Sequence, residues 1–141
     1  MNILINRLST IATFIILTGT LITTNTAIAG MADTMLNEYI QQGASPSEQA
    51  GKDFWNRDFK HAKSGGKNRS CSTCHTSNLT QAGKHARTGK VIDAMAPSVN
   101  SRRLTERKEI NKWFKRNCKW TVGRECSVQE KADLLAYLKA L

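Results

Sequence analysis

Residues 71–75 read Cys-Ser-Thr-Cys-His. Two thiols at this spacing reach the two vinyl groups of one porphyrin, and the imidazole that follows at once can bind the iron from one side. The pentapeptide therefore points to one covalent haem c on Cys71 and Cys74, with His75 as an axial iron ligand. A redox dithiol would sit at a strand–helix junction, and no strand is visible in the sequence. A zinc site would need a second ligand pair at suitable spacing, which Cys118 and Cys126 do not offer. Haem iron has two faces, so the residue on the other face decides the chemistry.

Four residues compete for that second face. Met95, in Met95-Ala96-Pro97, has a thioether that favours ferrous iron and raises the potential. It lies only twenty residues beyond His75. His85 would make a bis-histidine, low-potential carrier, and His61 could do the same from a basic, Gly-rich loop. Asn117 continues a stripe of apolar residues on a helix, and a polar amide on such a stripe needs a partner. From the residues alone all four stay open.

The elements that must position these groups read as helices. Asp33 is placed to cap a first short helix carrying Leu36, Tyr39 and Ile40. Ser45-Pro46-Ser47-Glu48 is a helix start, with Ser45 as cap, Pro46 in the first turn and Glu48 at the capping-box position. The helix that follows contains Gly51, Phe54 and Trp55. Residues 76–103 hold Gly83, Gly89 and Pro97 with little periodicity and are expected to wrap the haem as loops. A helix is predicted from about Thr105 to Asn117, with Ile110, Trp113, Phe114 and Asn117 on one stripe. Ser127-Val128-Gln129-Glu130 is a second capping box, opening a final helix with the stripe Leu134, Tyr137, Leu138 and Leu141. No run alternates with period two, so the expected fold class is all-α, several helices around one haem.

The first 29 residues read as a cleaved signal peptide. Arg7 supplies the positive region, Leu8 to about Ile22 the apolar region and Ala27-Ile28-Ala29 the small-x-small cleavage site. The apolar run is short and broken by Thr against the ~20 residues a spanning helix needs. This leaves residues 30–141 as one domain, exported to a periplasm. In such an oxidising compartment the remaining pair, Cys118 and Cys126, is expected to form a disulfide. Lys and Arg number 21 against 11 acidic residues, a formal charge of +10, or +9 without Arg7. The cations are scattered rather than grouped with stacking aromatics, which argues against nucleic acid and fits an acidic redox partner.

Several stretches together resemble the sphaeroides haem protein family, a group of exported class I-like cytochromes c. They are Arg87-Thr88-Gly89-Lys90, Ala96-Pro97-Ser98, Lys112-Trp113-Phe114-Lys115-Arg116-Asn117-Cys118, Gly123-Arg124-Glu125-Cys126 and Glu130-Lys131-Ala132-Asp133-Leu134-Leu135. Gly51-x-x-Phe54-Trp55 and Leu134-x-x-Tyr137-Leu138 are similar to the crossing terminal helices of class I cytochromes c. The resemblance covers nearly all of residues 30–141. It implies His75 and Asn117 as axial ligands and Cys118–Cys126 as a disulfide, with Met95 where only an apolar residue is needed. Trp113, Phe114 and Met95 are then expected to pack against the haem.

The resemblance also implies that Asn117 lets go of the iron on reduction, opening that face to O2, NO or CO. Electrons would come from partner cytochromes, a dihaem cytochrome c or a membrane cytochrome b, and the chain itself would be a monomer. Three function classes follow. The first is a ligand-binding cytochrome that turns over oxygen or nitrogen oxides, the second a plain low-potential electron carrier and the third a sensor or scavenger without catalysis.

Overall fold

A computed structural model describes residues 30–60 and 67–141. The leader segment and His61 lie outside the described residues. The chain runs through α1 (Met31–Gln41), α2 (Glu48–Asn56), α3 (Ser72–His75), β1 (Gly83–Lys84), β2 (Val91–Ile92), α4 (Arg107–Thr121) and α5 (Val128–Lys139). Among the described residues no helix is long and apolar enough to cross a membrane.

α5 is the axis of the fold. It buries Ala132, Asp133, Leu134, Leu135, Tyr137 and Leu138, a wider face than the single stripe expected from the sequence, because α1 packs on one side and α2 on the other. The α1–α5 side, with Ile110 of α4, forms one cluster around Met35 and Leu135. Both side chains are essentially fully buried, worth about 1.5–3 kcal/mol each. The α2–α5 side forms a second cluster of Phe54, Trp55, Leu79, Cys118, Cys126, Leu134, Tyr137 and Leu138. Gly51 makes the close α2–α5 crossing possible, since a Cβ there would stand 2.1 Å from the Asp133 carbonyl oxygen.

Local signals held at one end of the chain and shifted at the other. Ser127 and Glu130 make the reciprocal capping box of α5 as expected. α1 begins at Met31 with Gly30 as cap, and Asp33 sits in its first turn, paired with Lys139. α2 is capped by Ser47, whose Oγ accepts from the Ala50 N–H, two residues later than expected from Ser45. The reason is tertiary. The Ser45 N–H donates to Gln129 Oε1 and the Ser47 N–H to Asp133 Oδ1, both at 2.8 Å, so α5 holds residues 45–47 extended.

α4 runs to Thr121, one turn past the expected end at Asn117. β1 and β2 pair antiparallel, Gly83 with Ile92 and Lys84 with Val91. Strands of two residues are too short to leave an alternating pattern, which is why the sequence showed none.

Candidate haem site

The Cys-x-x-Cys-His segment is fastened to α2 before it starts. Phe59 and Arg69 exchange backbone hydrogen bonds, and the Cys71 N–H donates to the Trp55 carbonyl at 3.1 Å. Buried Ser70 adds to this, its N–H donating to Thr73 Oγ1 and its hydroxyl sharing hydrogen bonds with Ser72 and Thr73. α3 is one turn long, closed by the His75 N–H on the Cys71 carbonyl and the Thr76 N–H on that of Ser72. The turn ends abruptly because Thr76 adopts φ 66° and ψ 174°. That conformation is nearly exclusive to glycine and costs a β-branched residue about 1–3 kcal/mol. Thr76 Oγ1 donates to the Asn78 carbonyl, and Asn78 Oδ1 accepts from both the N–H and the hydroxyl of Thr80, which secures the bend.

The β1–β2 hairpin closes on the other side of the turn. A Cβ on Gly83 would stand 2.2 Å from the Cys74 carbonyl oxygen and 2.8 Å from His75 Cα, so only glycine lets the hairpin lie here. The Ala86 N–H points at Cys74 Sγ, 3.4 Å away.

His75 is held between aromatic and cationic groups. The Trp55 ring lies 5.3 Å from the imidazole, and Tyr137 meets Trp55 edge-on at 6.4 Å. Burial, aided by the Arg103 guanidinium, pushes the His75 pKa down to about 4. The ring is therefore neutral at physiological pH, the form that binds a metal. Arg103 is itself pinned, with Nε donating to the Ala94 carbonyl at 2.8 Å and Nη2 to that of Asp93 at 2.7 Å. Burial pushes the Cys71 thiol up to about 12, so it is an apolar neighbour rather than a redox thiolate.

The second side of the site is α4. Its buried residues are Ile110, Cys118 and Thr121, with Phe114 half-buried between them. The buried face thus keeps Ile110 and Phe114 of the expected stripe and shifts from Trp113 and Asn117 toward Cys118 and Thr121. The disulfide decides this, because Cys118 must face inward to meet Cys126 at a Cα–Cα distance of 5.6 Å. Asn117 then stands exposed at the rim, next to a covalently tethered neighbour.

Trp113 is 43% exposed. Its Nε1 donates to Glu109 Oε2, and Lys112 and Arg116 each lie 5.1 Å from its ring. Of the three residues expected to pack on haem, Phe114 and Met95 join Cys71 around the second cluster. Trp113 does not.

His85 occupies the hairpin turn, where its Nδ1 accepts from the Thr88 N–H at 3.2 Å. Its ring lies 6.4 Å from Trp120, which Arg69 covers at 4.1 Å. Met95 is held by its N–H on the Leu79 carbonyl. The second cluster therefore gathers Cys71, Met95, Phe114, Cys118 and Cys126 around Trp55, the residue that touches His75. Asn117 is carried at its edge.

Sequence reasoning had Trp55 and Gly51 as crossing-helix packing only, and missed that Trp55 contacts His75. Arg103 and Gly83 left no local signal. Both act through residues distant in sequence.

The residues fit haem c. Cys71 and Cys74 are free of any disulfide. His75 Nδ1 is buried without a protein partner, which leaves the imidazole unengaged by any competing side chain. No group of three or more His, Cys, Asp or Glu that could hold a metal ion by itself occurs among the described residues.

Comparison with known proteins agrees. A family model described as a domain of unknown function, DUF1924, matches residues 41–138. Cytochrome c'' of Methylophilus methylotrophus is 42% identical over 94 residues, 67% of this chain and 64% of that protein. The cytochrome c-type protein SHP of Cereibacter sphaeroides is 46% identical over 84 residues, 58% of this chain and 64% of that protein. The chain thus spans just under two thirds of the length of these curated relatives.

Among solved structures, oxidised cytochrome c'' matches with a TM-score of 0.68 at 36% identity, covering 77% of this chain and 93% of that one. Oxidised SHP, described as an oxygen-binding cytochrome c, matches with 0.69 at 35% identity, covering 78% and 96%. The chain belongs to the DUF1924 family, together with SHP and cytochrome c'', and is a helical cytochrome c carrying covalently bound haem c.

Proposed function

We propose that this chain is an exported, periplasmic monohaem cytochrome c in which His75 is the permanent axial ligand and Asn117 a ligand of the oxidised state only. Reduction frees the Asn117 side for a small diatomic ligand, O2, NO or CO. The observation that carries this reading is the unequal setting of the two residues. His75 is buried and packed against Trp55. Asn117 is carried by one helix, α4, beside Cys118, which is bonded to Cys126.

Haem c supplies one-electron redox chemistry and two axial coordination positions. What the chain adds is a choice of donor. A neutral amide oxygen is a hard, weak donor that suits ferric better than ferrous iron. Off the iron, the Asn117 amide N–H groups would be available as hydrogen-bond donors to a bound diatomic ligand. The Cys118–Cys126 link limits how far they retreat, and half-buried Phe114 keeps that side apolar. SHP is described as oxygen-binding, and a solution structure of cytochrome c'' concerns detachment of a haem ligand. Both statements belong to those relatives and lend support here by similarity. Electrons are supplied by a partner cytochrome, a dihaem cytochrome c or a membrane cytochrome b.

The test is a pair of optical spectra, oxidised and reduced, with and without CO. The expected result is a low-spin ferric form and a high-spin ferrous form that takes up CO rapidly. A low-spin ferrous spectrum indifferent to CO sinks the reading. Asn117→Ala should lose the low-spin ferric form. If it does not, the ligand role passes to Met95 or His85.

A further inference from the structure

The helix that carries Asn117 also holds six cations against one carboxylate in its 15 residues. Four of the cations are Lys108, Lys112, Lys115 and Lys119. Their intervals of four, three and four residues place them on a single stripe. The stripe faces away from buried Ile110, Cys118 and Thr121, and all four lysines are exposed. Lys112 pairs with Glu109 at 2.7 Å and Lys119 with Glu125 at 3.2 Å. Lys108 and Lys115 make no ion pair among the described residues. Like charges at these intervals repel and cost helix stability. Lys108 and Lys115 therefore add repulsion to the helix without an ion pair of their own to offset it.

We propose that this lysine ridge is the docking surface for an acidic protein that delivers the electron. The proposal rests on the reading of the chain as a redox-active cytochrome and names the chemistry of its partner. Charge complementarity carries the choice. A single-signed ridge on a rigid helix attracts and orients an acidic surface, raising the rate of encounter. A membrane is the poorer occupant, because an interfacial helix lays an apolar face into the bilayer and the apolar face of α4 is spent on the core. Trp113, its one exposed large apolar residue, lies off the stripe and is clamped by Glu109, Lys112 and Arg116.

The test uses the haem-loaded protein and flavodoxin hydroquinone as an acidic one-electron donor. One electron passes to ferric iron, leaving ferrous iron and flavodoxin semiquinone. Lys108→Glu with Lys115→Glu should lower the second-order rate constant about tenfold at low ionic strength and flatten its dependence on salt. Reduction by dithionite should be unchanged. Lys84→Glu with Lys90→Glu makes the same change of net charge in the β1–β2 hairpin, and should lose less than about threefold. Equal losses in the two double variants overturn the docking surface and leave only net-charge steering. An unchanged rate in the ridge variant also overturns it. So does binding to phosphatidylglycerol vesicles that the ridge substitutions abolish, which would assign the ridge to a membrane. If dithionite-reduced protein fails to take up CO, the ligand-release reading falls while the ridge result stands.

Discussion

The two residues offered to the iron live in opposite surroundings. The His75 side is redundant: a backbone hydrogen bond from Cys71 to Trp55, the buried Ser70 hydroxyl network, the Trp55 ring and the Gly83 hairpin all secure one short turn. The Asn117 side depends on a single helix and one disulfide. A ligand over-determined by its surroundings stays when the iron changes charge. A ligand carried by one helix beside one tether would be freer to leave and return. Unequal support, more than unequal ligand strength, is what the fold contributes.

The largest effect should come from the over-determined side. Gly51→Leu would drive a side chain into the Asp133 carbonyl and Tyr137, parting α2 from α5. Since overpacking costs typically about 1–3 kcal/mol and more where backbone must move, the variant should unfold tens of degrees early or fail to mature with haem. A normal melting curve by circular dichroism would show that the His75 side needs no close helix crossing.

Next comes the tether. Cys118→Ser with Cys126→Ser removes a short-loop link worth about 2.5 kcal/mol of unfolded-state entropy. Chemical denaturation should show that loss, and ferric spectra should show a growing high-spin fraction while His75 ligation persists. Loss of both ligands together would abolish the contrast between the two sides.

Asn117→Ala should separate function from stability. In the ferrous protein, where Asn117 is off the iron, the substitution should change unfolding free energy by no more than about 0.5 kcal/mol, yet the ferric spectrum should change completely.

The smallest effect concerns the α5 cap, which supports the core beneath both sides. Hydrogen bonds from Arg124, with Ser127, hold the Glu130 carboxyl below the usual carboxylate range. A depressed folded-state value means the contribution is complete above the unfolded pKa of about 4.3 and is lost as pH falls through the folded value. Thermal melts between pH 5 and 3 should lose a few degrees, and Glu130→Gln should remove that part of the slope.

What was legible in the sequence was whatever is local. The Cys-x-x-Cys-His spacing and the α5 capping box each involve residues within a few positions, so pattern alone identified them. Gly51, which meets Asp133 across the crossing, was legible only through the resemblance to class I cytochromes c. The α2 cap was misplaced because its true determinants, Gln129 and Asp133, lie more than eighty residues away. The α4 stripe was misread because periodicity alone treated Trp113 and Asn117 as continuing an apolar face. The inward demand of Cys118 shifts the buried face toward Cys118 and Thr121.

By itself, then, the sequence determined the cofactor, the helical class and the pairing of the two remaining cysteines, all consequences of residue type and short spacing. Only the tertiary structure decided how firmly each side of the site is held. Firmness is a sum over contacts from distant segments, such as Trp55 on His75, Gly83 on Cys74 and Arg103 on the Asp93 and Ala94 carbonyls. No window of neighbouring residues contains that sum.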